Sequence, residues 1–311
     1  MPLVSMKSML ADALAGGYAV CYCESWNLES FQAVIDAASD ADAPVIAGFS
    51  GGFLADPGRK RPERLSDYAG LRLALAGASV PVSFLLNESD SLPQIEEAID
   101  LGFNAVMIEN EHLDPDAYRR LVKKTVARAR PNGVSVEAQL GTLPHGCDQE
   151  AGHGEVTDPR AAREFVEDTG IDALGVSVGN IHILTSGESP LHLDRLESIH
   201  AAVDVPLVLH GGTGIPPEYA AQVICRGVAK INFGTVLKQA FLAAVREKLE
   251  AYQEPMNPHP FVGMGGGQDV LIAGREAMMA QVRKLLHRFG AAGRAGGLAC
   301  AGTAQTREVN A

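Results

Sequence analysis

The stretch VPLVLHGGTGIPPEYAAQVICRGVAKINFG, residues 205–234, sets the architecture. Two short apolar runs, VPLVLHG (205–211) and AKINFG (229–234), flank PPEYAAQVICRG (216–227), which opens on proline and closes on glycine as helices do. Strand, helix, strand at this spacing reads as one βα repeat of a parallel sheet. Its strands are covered on both faces and need not alternate apolar with polar residues. The same rhythm runs upstream through YAVCYC (18–23), PVIAGF (44–49), VPVSFLLN (80–87), AVMIE (105–109), GVSVEAQL (133–140) and IDALGVSV (171–178). Between these runs lie helix-like segments such as LESFQAVIDAASDA (28–41), LPQIEEAIDLG (92–102), AYRRLVKKTVARA (117–129) and PRAAREFVEDTG (159–170). Eight such runs predict an α/β chain closed into a (β/α)8 TIM barrel.

Downstream, VLKQAFLAAVREKLEAYQE (236–254) and AGREAMMAQVRKLLHRFG (273–290) are helical, joined by the Pro/Gly-rich MNPHPFVGMGGGQ (256–268). The MGGGQ within that joint follows no buried strand and is expected to be a flexible loop rather than a nucleotide cradle. Residues 1–296 are expected to form one barrel domain, and the small, glycine-laced 297–311 a disordered tail.

Composition narrows the partners. A net charge of −12 disfavours nucleic acid and anionic membrane surfaces, leaving a small molecule. Five cysteines in 311 residues form no disulfide framework, and no long apolar stretch is present. A soluble, cytoplasmic protein is the expectation.

In a barrel of this kind chemistry gathers where the strands end, and those ends are polar here: Glu24, Ser50, Asn87-Glu88, Glu109, Glu137 and Gln139, Asn180 and His182, His210, Asn232. A single polar strand end needs no function, since it is merely where the chain meets water. Glu88, His182 and His210 nevertheless fall on three different ends. Two imidazoles and a carboxylate form a ligand set for a catalytic divalent ion. The glycines of LVLHGGTG, followed by a helix start, offer backbone N–H groups to an anion, and Gly211, Gly212, Thr213, Gly234 and Thr235 occupy the place where barrels commonly bind phosphate.

Taken together, MPLVSMKSMLADALAGGYAV, GVSVEAQLGT, LVLHGGTGIP and KIN-x-x-T make the chain resemble the class II ketose-bisphosphate (fructose-bisphosphate) aldolases, from the first residue to about residue 296. The resemblance implies a divalent ion, usually zinc, held by three histidines. The ion polarises the carbonyl of a ketose phosphate and stabilises the enediolate formed on cleavage. His182 and His210 match two of those ligands. The third lies in a motif resembling HLDHG that here reads LLNES, so Glu88 stands for the third histidine and Asn87 for the aspartate that shuttles the proton. A carboxylate ligand opens the site to Mn²⁺ or Mg²⁺ as well as Zn²⁺. An amide cannot carry a proton. Glu24, Glu109, Glu137, Asp90, His145 and Asp148 are therefore candidates to replace it, Glu24 first, because it stands for the first asparagine of an FN-x-N-N pattern.

Asn87, Glu24, Glu137 and Asn232 form the candidate catalytic set, and Ser50, Gly211 and Thr213 match phosphate contacts. Gly234 stands where Asp or Asn is usual, and both HILTSG (182–187) and NPH (257–259) lack the expected Lys and Arg. One phosphate or a different anionic headgroup, as in a ketose phosphate or related anionic polyol, is the expected cargo rather than a bisphosphate. An aldolase, an epimerase or isomerase using the same intermediate, and a silent sugar-phosphate binder all remain open at this stage. The resemblance further implies a homodimer or homotetramer.

Overall fold

A computed structural model describes residues 3–146 and 154–297. The tail beyond residue 297 and the candidate Asp148 lie outside the described residues.

Helix α1 (Met6–Gly16) precedes the barrel, ended by Gly17 in the left-handed conformation at φ 65°. Its Met6, Met9 and Leu10 are fully buried. The strands are β1 (Val20–Glu24), β2 (Val45–Ser50), β3 (Val82–Ser89), β4 (Ala105–Ile108), β5 (Ser135–Leu140), β6 (Ala173–Val176), β7 (Leu207–Leu209) and β8 (Val228–Phe233). Each pairs parallel to the next and β8 pairs with β1, so the barrel closes in sequence order. Closure leaves no open edge and buries the strands on both faces, the reason the runs read as near-continuous apolar segments.

The covering helices are α2 (Leu28–Asp40), the short α3 (Gly51–Ala55) and α4 (Leu65–Ala69), α5 (Leu92–Asp100), α6 (Pro115–Ala129), α7 (Pro159–Thr169), α8 (Leu193–His200), α9 (Ala220–Ile224), α10 (Thr235–Leu249) and α11 (Val270–Arg288). Their starts are fixed locally. Asn27 and Ser30 exchange hydrogen bonds in a capping box, and Asp114 and Asp158 cap helices that begin on proline. Such caps satisfy amides that the first turn leaves unpaired.

The glycine-rich joint before α11 is tied down rather than free. Asp269 is 2% exposed and accepts hydrogen bonds from the amides of Gly263, Gly265 and Leu271 at 2.8, 3.0 and 3.0 Å. An internal carboxylate fills the nest that the flexible-loop expectation left empty.

Candidate metal centre and active site

The metal triad depends on an irregularity in β3. The register between β3 and β4 shifts between Leu86 and Ser89, and Glu88 takes a positive φ of 52°. A bulge of this kind re-aims side chains, and here it lets Asn87 and Glu88, neighbours in sequence, both line one cavity. Ile183, directly after His182, also has a φ of 52°. That conformation is rare for a β-branched residue and costs on the order of 1–3 kcal/mol, a strain typical of functional sites. Gly211, directly after His210, has a φ of 68°, and a Cβ there would lie 2.1 Å from the Ile181 carbonyl oxygen. Only glycine lets the β7 turn pass that close to the His182 loop.

The triad converges on one oxygen. Glu88 Oε1 lies 3.2 Å from His210 Nδ1 and 3.4 Å from His182 Nε2, and one ligand atom from each of the three residues fits within 4.8 Å. The other face of His210 is held from behind. Its Nε2 lies 3.0 Å from Glu137 Oε1, Lys230 Nζ lies 2.9 Å from Glu137 Oε2, and Lys230 donates to Asn232 Oδ1 at 2.6 Å. With Nε2–H directed at Glu137, Nδ1 is the nitrogen left to bind an ion. Asn180 Nδ2 donates to the His210 carbonyl at 3.0 Å, tying the β6 and β7 loops together.

The electrostatics follow from burial and pairing. Burial pushes the Glu88 carboxyl up, but His182 and His210 outweigh it and hold it well below the usual carboxylate range. Burial lowers His210 but its two carboxylates, Glu137 and Glu88, carry it to about 9. Glu137 is lowered despite burial, chiefly by Lys230. Glu24 is raised by burial more than Lys238 pulls it down. These directions describe the pocket without an ion.

Lys230 and Glu137 are both fully buried. Deleting one member of such a pair strands the other charge, so Lys230→Met is expected to cost about 3–5 kcal/mol in urea unfolding. A loss under about 1 kcal/mol would contradict this account of the pair.

A cavity of 270 Å³ opens beside the triad, lined by Glu24, Asn87, Glu88, His182, Gly211, Thr213, Asn232, Gly234, Thr235 and Lys238, among others. Four of the six candidate phosphate residues thus share it. Gly212 is buried behind it, where a Cβ would meet Phe233 and the Asn232 carbonyl at 2.6 and 2.7 Å. Ser50 stands apart, donating to Glu88 Oε2 at 3.4 Å and lining an adjoining cavity. Thr213 Oγ1 accepts from Val236 N at 3.2 Å, so its hydroxyl proton remains available. The N-terminus of α10 begins at this cavity and favours an anion.

Among the proton-carrier candidates, Glu24 lines the cavity, whereas Glu137 stands behind His210. Asp90 is exposed, and the His145 ring packs at 5.2 Å from that of His182. Glu109 lines a different cavity and accepts from Gln139 at 2.7 Å. Asn87 Oδ1 is buried with no hydrogen-bond partner among the described residues, an acceptor waiting for a donor.

Burial raises the Glu109 carboxyl to about 7. An unfolded chain releases that proton near the ordinary 4.5, so Glu109 costs nothing below that pH and its full penalty above about 7. Glu109→Gln is therefore expected to melt higher than wild type at pH 8, with the advantage gone at pH 4. An equal advantage at both would contradict the shift.

Lys230 and Lys238 are the site residues that motif reading missed. Lys230 lay inside the quoted KIN motif. Lys238, three residues after Thr235, lies one turn into α10 and so faces the same rim.

The chain matches the family model for fructose-bisphosphate aldolase class-II over residues 4–294. It belongs to that family. A fructose-bisphosphate aldolase of Staphylococcus epidermidis is 36% identical over 302 residues, 95% of this chain and all of that one. Another, from Geobacillus stearothermophilus, is 37% identical over 296 residues, 95% and 99% of the two chains. Among solved structures, the YdjI aldolase of Escherichia coli K12 superposes with a TM-score of 0.77 at 30% identity, covering 94% of this chain and all of that one. This class II aldolase is a lyase of a family that works with a divalent metal. Glu88, His182 and His210 fit such an ion: a deeply ionised carboxylate and two imidazoles, with His210 oriented by Glu137. Among the described residues, no helix is long and apolar enough to cross a membrane.

Proposed function

We propose that this aldolase cleaves or forms a carbon–carbon bond in a ketose carrying one phosphate, not in fructose 1,6-bisphosphate. The observation that carries the reading is the shared cavity, with the triad on one side and Gly211, Thr213, Gly234 and Thr235 on the other. A divalent ion held by Glu88, His182 and His210, zinc first and Mn²⁺ or Mg²⁺ next by donor chemistry, supplies Lewis-acid polarisation of the ketone.

The protein's own groups do the rest. The glycine backbone, the Thr213 and Thr235 hydroxyls and the α10 N-terminus hold the phosphate and fix the register of the chain. Asn87 Oδ1 accepts a hydrogen bond from a substrate hydroxyl, which orients that hydroxyl without taking its proton. Glu24 takes the proton as the bond breaks and returns it in the reverse direction. Burial raises its affinity for protons above that of an ordinary carboxylate, the direction that suits a group that must both accept and donate one. Asn232 spaces Lys230 from the His210 ring, its Nδ2 lying 3.0 and 3.3 Å from the two ring nitrogens.

The experiment is hydrogen exchange on dihydroxyacetone phosphate in D₂O, followed by NMR with and without added divalent ion, alongside a retro-aldol screen of ketose monophosphates. Ion-dependent exchange plus cleavage of a monophosphate is expected. Exchange with no cleavage of any substrate would point to an isomerase instead, and neither would refute the reading.

A further inference from the structure

A second cavity, of 190 Å³, adjoins the first across Glu24, Phe53 and Lys238, which line both. Its other walls include Ser25, Trp26, Ser50, Arg59 and Tyr68. Ser25 and Arg59 each keep one polar atom, Oγ and Nε, buried behind that lining without a partner among the described residues, and Ser25 as a whole is 2% exposed.

The two cations of this cavity are already engaged. Lys238 Nζ lies 2.7 Å from Glu24 Oε1 and 4.3 Å from the centre of the Phe53 ring. Arg59 pairs through Nη2 with Glu63 and donates Nη1 to the Phe53 carbonyl at 3.1 Å, while Tyr68 donates its hydroxyl to the same Glu63. Glu24 and Glu63 thus cancel Lys238 and Arg59.

We propose that this second cavity receives the aldehyde half of the substrate, and that the half it selects is an uncharged polyhydroxy chain rather than one ending in a second phosphate. Assigning the aldehyde half rests on the aldolase reading above, since Glu24 then sits at the junction of the two halves. The charge argument stands without it. A phosphate dianion placed here would stand beside two carboxylates in a partly closed space, where like charges repel more than in water. It would also have to pull Lys238 from Glu24 or Arg59 from Glu63. Hydroxyls need neither rearrangement, and the Trp26 and Phe53 rings offer apolar surface to the carbon chain.

The test is calorimetric titration with two uncleavable ligands, a hexitol 1-phosphate and the same hexitol 1,6-bisphosphate, which differ only at the far end. It is run on the protein with and without added divalent ion. The monophosphate is expected to bind at least ~10-fold more tightly. Glu63→Gln and Glu24→Gln each remove the carboxylate that neutralises one cation, and each is expected to move the ratio toward the bisphosphate by at least ~10-fold. Tighter binding of the bisphosphate by wild type, a ratio unchanged in both variants, or no binding of either hexitol would overturn the proposal. A bisphosphate preference together with normal cleavage refutes this inference alone. A monophosphate preference without turnover refutes the aldolase reading alone.

Discussion

Replacing His210 by alanine is expected to abolish turnover, by ~10³-fold or more, together with stoichiometric binding of the divalent ion. The effect should be large because His210 joins two layers of the site. Its Nδ1 faces Glu88 and its Nε2 faces Glu137, and the ring is 1% exposed. Removing it takes one ligand from a three-residue set and leaves two carboxylates competing for Lys230 and His182. An ion held by the remaining two ligands would lose both affinity and orientation. The check is metal content after gel filtration, measured beside kcat on the best monophosphate substrate. Retention of one ion per chain with kcat within a few-fold of wild type would remove His210 from the centre.

The second large effect is expected from Glu24→Gln. The substitution keeps the shape and the hydrogen bond to Lys238 but removes the titrating group, so kcat should fall by ~10²–10⁴-fold with metal content unchanged. A merely structural role for Glu24 would not alter the pH profile. The proposed role requires that the limb belonging to the base disappear in the variant. If kcat and its pH profile both survive, the proton travels by another route, and Glu109, titrating at about 7, becomes the residue to replace next.

Glu24 also shows how two departures from the family pattern form one change. The sequence has Glu24 where the family motif has asparagine, and Gly234 where it has Asp or Asn. In the structure a Cβ on residue 234 would lie 2.3 Å from Glu24 Oε2. The carboxylate therefore occupies space that any side chain at 234 would need, as though the polar group had moved from β8 to the facing end of β1. Sequence alone could list both differences but not their contact, because β1 and β8 meet only on barrel closure.

The barrel itself was legible because strands buried on both faces leave long apolar runs, and because proline, glycine and Asp or Asn caps mark where helices start and stop. The triad was legible for the same reason, since strand ends in a closed barrel share one rim. What stayed hidden depended on three-dimensional proximity. The β3 bulge that turns Asn87 and Glu88 into one cavity has no proline or glycine to announce it. Lys230 reads as an ordinary strand residue, because its partner Glu137, 2.9 Å away, stands on β5, three strands earlier in the chain. Ser50 matched a phosphate contact by motif, yet it caps α3 by accepting from Phe53 N at 3.3 Å and faces the neighbouring cavity. The MGGGQ loop looked free because its anchor, Asp269, follows it rather than precedes it.

The claim that distinguishes this aldolase is that a carboxylate stands in for one histidine at the metal. X-ray absorption spectroscopy of the zinc- or manganese-loaded protein, compared with the same measurement on Glu88→His, tests it most directly. Two imidazole ligands in wild type and three in the variant are the expected result. Three imidazoles in wild type, with His145 drawn in beside His182, or an ion whose coordination is unchanged by the substitution, would contradict it.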